Sequence, residues 1–119
     1  MNDRIITELA AIGVETERTI QRFSGNAALY EKFLLKFPQD DNFSKIKPAL
    51  DQDNYEEAFI AAHTLKGVAG NLGMVRLFQA CSDLVAMLRA KEYQNAKDSF
   101  VELETAYQEV NRILDTAGE

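Results

Sequence analysis

The stretch AAHTLKGVAGNLG, residues 61–73, contains the only histidine of the chain, His63. Around it, Ala58, Ala62, Leu65, Ala69 and Leu72 recur at alternating steps of four and three, the seam of an α-helix that faces a core. At about 100° per residue, His63 leaves that seam and joins a neighbouring stripe with Phe59, Lys66 and Gly70, and Gly67 lies a little further round. Asn54, with Glu57 three residues later, has the residue types of a variant capping box, so this helix is expected to start at Tyr55. It is expected to end near Asn71, where the glycines of residues 70–73 stop it.

Outward from this helix, the same three- and four-residue steps persist and β-branched runs are absent, which predicts an all-α chain. Residues 3–12 place Ile5, Ile6, Leu9 and Ile12 on one side and stop at Gly13. Residues 16–23 carry Ile20 and Phe23 as anchors. Asn26 is a plausible N-cap for residues 27–37, whose stripe is Leu29, Tyr30, Phe33, Leu34 and Phe37. A break follows at Pro38, and Phe43, Ile46 and Leu50 indicate a helix that Pro48 either kinks or begins. Residues 74–90 turn Leu77, Cys81, Leu84 and Leu88 inward, and residues 94–116 space Phe100, Leu103, Tyr107, Val110 and Leu114 almost as a heptad. Short connections favour antiparallel neighbours. The expected architecture is an antiparallel up-and-down four-helix bundle over residues 26–119 with a short helical extension at 1–25, one domain spanning 1–119.

With 119 residues, 46% of them hydrophobic, the chain fits a single core and leaves no room for a second domain. Its net charge of −6 is spread without a basic cluster, which argues against nucleic acid. One histidine and one cysteine exclude a His/Cys metal cage within the chain. Cys81 falls on the inward stripe of its own helix and reads as inert packing. Apolar runs fall short of the roughly 18 residues of a membrane helix, and the start MNDRIITELA has no basic segment followed by an apolar one. Direct membrane contact is therefore not expected, and the chain reads as cytoplasmic, compatible with the cytoplasmic end of a membrane-anchored sensor.

A lone helical histidine is commonly a packed core-edge residue. Against that, Gly67 sits one turn beyond His63 in mid-helix, where glycine costs about 1 kcal/mol relative to alanine. Its missing side chain leaves a bare patch through which a partner could bring a reacting group. Lys66, at i+3, reaches the same surface and supplies positive charge to an anion held on the ring. A neutral imidazole has a free lone pair and needs no base to act as a nucleophile. Phosphoryl transfer asks mainly for positioning and charge neutralisation, and the chain provides a rim histidine and a lysine but no nucleotide loop.

The segment HTLKGVAGNLG, residues 63–73, resembles the signature of histidine-containing phosphotransfer (HPt) domains, in which a phosphoryl-accepting His is followed by Leu-Lys-Gly, small residues and a further Gly. GVETERTIQRFSGNAALYEKFLLKF, residues 13–37, is similar to the entry region of the HPt domains that end hybrid sensor kinases. LDQDNYEEAFIAAHTLKG resembles the approach to the phosphorylated helix, and CSDLVAML the helix beside it. The resemblance implies that His63 is phosphorylated, that Lys66 neutralises the phosphoryl group, and that Gly67 keeps the ring accessible. It also implies a docking patch bordered by Phe59, Gly70 and Met74. In the family a Glu or Gln often follows the leucine that corresponds to Leu84; here Val85 stands there and is not counted as a site residue.

The implied role is a phosphorelay shuttle: His63 takes phosphoryl from the aspartate of one response-regulator receiver domain and passes it to another. No cofactor of its own is implied, since Mg²⁺ belongs to the partner receiver. Partners would be receiver domains and a parent hybrid sensor kinase, with the chain itself a monomer and without autonomous enzymatic activity. Two other readings stay open, a noncatalytic helical adaptor and the phosphoacceptor helix pair of an autokinase.

Overall fold

The computed structural model describes residues 3–116. The expected domain span, 1–119, therefore runs past the described residues at both ends, and the segment boundary expected at residues 25 and 26 falls in the turn between the second and third helices. In chain order the helices are α1 (Asp3–Ala11), α2 (Thr16–Arg22), α3 (Ala27–Lys36), α4 (Asn42–Asp51), α5 (Tyr55–Asn71), α6 (Val75–Arg89) and α7 (Tyr93–Asp115). A 3₁₀ turn, Phe37–Gln39, joins α3 to α4.

Local chemistry sets several of these boundaries. Asn26 Oδ1 accepts from the Leu29 backbone N–H at 3.0 Å, which satisfies one of the orphan donors that open α3. Asp40 does the same for α4, its Oδ1 accepting from Asn42 N–H at 2.9 Å. Pro48 does not begin α4, since the helix starts at Asn42, after its N-cap Asp41, and holds the proline in its interior. Between α5 and α6, Gly73 has φ +75°, a conformation that residues with a Cβ adopt only at a cost.

Tight turns between α4 and α5, α5 and α6, and α6 and α7 make each pair antiparallel neighbours, and α7 returns to touch α4. The result is the all-α, up-and-down bundle expected, with α1 laid against α7 and α2 against α3. Its core takes Ile46 and Leu50 from α4, Leu65 with four buried alanines from α5, Leu77, Cys81, Leu84 and Leu88 from α6, and Phe100, Leu103, Tyr107, Val110 and Leu114 from α7. Phe43 stacks on Tyr107 with ring centroids 3.8 Å apart, sealing α4 against α7.

Two of the expected stripes are narrower than their sequence. On α3, Tyr30 and Leu34 are buried and Phe37 follows them, but Leu29 and Phe33 stand 39% and 45% exposed. The α3 stripe is wide enough to cover the bundle with only half of its apolar residues. On α2 the buried residues are Thr16 and Thr19, while Ile20 and Phe23 are half-buried. Thr19 tolerates burial because its hydroxyl donates to the Glu15 carbonyl at 2.7 Å.

Candidate functional site

The Asn54 side chain opens α5 by accepting from Glu57 N–H at 3.3 Å, and its amide donates to the Glu57 carboxylate at 2.9 Å. From that start the helix runs with its alanine seam inward: Ala58, Ala62, Leu65 and Ala69 are fully buried. The small side chains let α4 and α6 approach α5 closely from both sides. Helical phase then carries His63 out of the core, and its side chain is exposed.

One turn before it, the Phe59 ring stacks on the imidazole with centroids 5.8 Å apart and planes at 26°. The imidazole makes no hydrogen bond to another described residue, and His63 is exposed. Gly67, one turn after it, is exposed, and a Cβ placed there would meet nothing within 4 Å. Gly70 is different, because a Cβ there would press on the Phe78 ring of α6 at 3.2 Å. Gly67 thus leaves open surface beside the histidine, whereas Gly70 makes room for packing between α5 and α6.

Two cations flank the stripe. Lys66 is half-buried and holds its ammonium 5.6 Å from the centroid of Phe78. Arg89, near the end of α6, places its guanidinium 5.2 Å from the centroid of Phe59. The pairs Phe59 with Arg89 and Gly70 with Phe78 fix the antiparallel register of α5 and α6, and that register sets Val85 across from His63. Val85 is 2% exposed, so its side chain belongs to the core.

Of the residues expected at the site, His63, Lys66, Gly67, Phe59 and Gly70 share one face of α5. Met74 does not join them: it is 1% exposed and its backbone bridges to Val14, so it offers no surface to a docking partner. Its neighbour Val75 is 43% exposed. Arg89 and Ile60 escaped the sequence reading. Ile60 is three residues before His63 and 57% exposed, a spacing readable from the helix period; Arg89 needs the register of a second helix.

The site is open surface rather than a pocket. A cleft of about 640 Å³ between α2, α3 and the end of α5 is lined by Arg22, Phe23, Phe33, Lys36 and Val68 and does not include His63. Cys81 is buried in the core, and burial pushes its thiol up to about 12, which keeps it protonated and unreactive. Among the described residues no cluster of His, Cys, Asp and Glu could hold a metal, and no helix is long and apolar enough to cross a membrane. A lone nucleophile with open surface and two nearby cations can take up an anionic group presented by another molecule, which must bring whatever else the reaction requires.

The Hpt domain family model matches residues 29–113, from the first turn of α3 to near the end of α7. No curated protein and no solved structure matches the chain.

Proposed function

Because the chain belongs to the Hpt domain family, phosphotransfer modules of two-component signalling that work with receiver domains and kinases and have no catalytic activity of their own, we propose that His63 is its phosphoryl carrier. On this reading it accepts phosphoryl from a receiver-domain aspartate and passes it to the aspartate of a second receiver, as one step of a phosphorelay. The observation that carries this reading is the exposed imidazole between the Phe59 ring and the bare surface of Gly67.

In the forward step the lone pair of a ring nitrogen attacks phosphorus, an N–P bond forms, and the acyl phosphate P–O bond breaks to release the receiver's carboxylate. The proton on the other ring nitrogen is then released to water. Attack on phosphohistidine by the second receiver's aspartate reverses these bonds, the other ring nitrogen regaining its proton from water so that neutral imidazole leaves. Lys66 neutralises the phosphoryl oxygens, and Gly67 with Phe59 and the edge at Gly70 forms the surface on which a receiver sits. The Mg²⁺ that such transfers use belongs to the receiver. We place this chemistry in the cytoplasm, with the chain acting as a monomer that serves a hybrid sensor kinase.

The test is incubation with a phosphorylated receiver domain, comparing the protein with its His63→Gln variant. Label on the protein and none on the variant is the expected result. Equal label on both, or on neither, favours a noncatalytic adaptor, and labelling of His63 by ATP and Mg²⁺ alone favours an autokinase fragment.

A further inference from the structure

The register of α5 and α6 brings Arg89 to the Phe59 ring that stacks on the histidine. Arg89 is exposed, and its guanidinium lies over the Phe59 ring, 5.2 Å from the centroid. The same Phe59 ring stacks on His63 at 5.8 Å. Imidazole and guanidinium are therefore neighbours of one ring. Arg89 forms no salt bridge with any described carboxylate, so its charge is not already neutralised locally. Four residues before it on α6, Val85 faces the core across from His63 and offers the ring no polar group.

We infer that Phe59 is a positioning residue that parks Arg89 beside the empty histidine, and that Arg89 moves its guanidinium onto the phosphoryl group once His63 carries one. The inference rests on His63 being the phosphoryl carrier. An exposed cation–π contact is weaker than charge-assisted hydrogen bonds to a phosphoryl dianion, so the exchange runs in the required direction. The planar fork of arginine suits both positions: it lies flat on a ring and bonds two phosphoryl oxygens at once. Lys66, held over Phe78 of the same α6, stands toward the C-terminal end of α5 from His63 as Arg89 stands toward its N-terminal end, so the loaded group would lie between two cations drawn from two aromatic rings.

The chain has a single histidine, so its phosphohistidine gives one phosphorus resonance. The full chain is loaded with phosphoramidate as a small phosphodonor, and the phosphoryl group is titrated by ³¹P NMR. A guanidinium on the phosphoryl oxygens favours the dianion and lowers the midpoint of its titration. Arg89→Gln is expected to raise that midpoint by about one pH unit. Arg89→Lys restores part of the lowering, Phe59→Leu removes the ring contact that competes for the guanidinium and moves the midpoint below that of wild type, and Phe59→Tyr keeps the wild-type value. A merely structural Arg89 would leave the midpoint where it was, so an unchanged Arg89→Gln titration overturns the inference. Equal midpoints for Phe59→Leu and wild type overturn the part assigned to Phe59. A wild-type chain that takes no phosphoryl on His63 overturns the functional reading and this inference with it.

Discussion

The Tyr30 hydroxyl donates to the Leu72 carbonyl at 2.8 Å, tying α3 to the residue that ends α5. The bond is buried, and burial pushes the phenol up to about 12. Replacing Tyr30 by Phe keeps the ring and leaves the carbonyl without that donor, which is expected to cost about 1 kcal/mol. Urea denaturation reads the loss directly. Because the bond lies away from His63, labelling of the histidine by phosphoramidate should be unchanged; a labelling defect in the folded variant would contradict this assignment.

Gly73 and Gly25 share φ +75°, but their surroundings differ. A Cβ at Gly25 meets nothing within 4 Å, whereas one at Gly73 would collide with the Thr19 side chain and stand 3.1 Å from the Glu15 carbonyl. Gly25→Ala should therefore cost only the conformational penalty, about 1 kcal/mol, and Gly73→Ala at least about 2 kcal/mol. Equal losses in the two variants would mean that α2 yields freely and that the contact with Gly73 does not hold it.

Gly67 sets helix stability against access. With open space at its Cβ position, Gly67→Ala is expected to stabilise the fold by about 0.5–1 kcal/mol. Gly67→Leu should keep the helix content and labelling by phosphoramidate but slow transfer from a phosphorylated receiver at least about tenfold, equivalent to about 1.4 kcal/mol of docking energy. Circular dichroism and the two donors separate these effects. Normal transfer from the receiver would show that the bare surface is not part of the contact.

Alkaline pH should expose Cys81. Burial raises the folded-state value of its thiol to about 12, above the range of an unfolded thiol, so the folded chain keeps a proton that the unfolded chain gives up. The contribution to stability is complete below the unfolded value and is lost as pH rises toward 12. Cys81→Ala is accordingly expected to flatten the fall in stability between about pH 9 and 11. Tyr30 adds a fall of the same sign at higher pH, so Tyr30→Phe should flatten the remainder. A Cys81→Ala profile parallel to wild type would rule out the thiol as its source.

The α5 helix was readable almost residue by residue, since its cap, its alanine seam and the outward phase of His63 all follow from spacing within one element. The same holds for α6 and α7, whose expected inward residues are all buried. Spacing failed where a second element decides the outcome. Phe33 lies on the α3 stripe yet stays exposed because Tyr30 and Leu34 already cover the bundle there, and it packs edge-on against Phe23 instead. Met74 looked like the rim of the site, but the chain reversal at Gly73 turns it inward beside Val14, in the turn between α1 and α2. Arg89 stands 26 positions after His63, and only the antiparallel register of α5 and α6 makes them neighbours of one ring.

The single imidazole on an open face has a kinetic corollary. On the role proposed for His63, with one histidine in the chain and open surface beside Gly67, a receiver seated at bonding distance would shut out every other receiver. Donor and acceptor would then take turns, and flux through the proposed relay would be set by how quickly each leaves. An excess of unphosphorylated donor would jam the traffic as effectively as a shortage of acceptor.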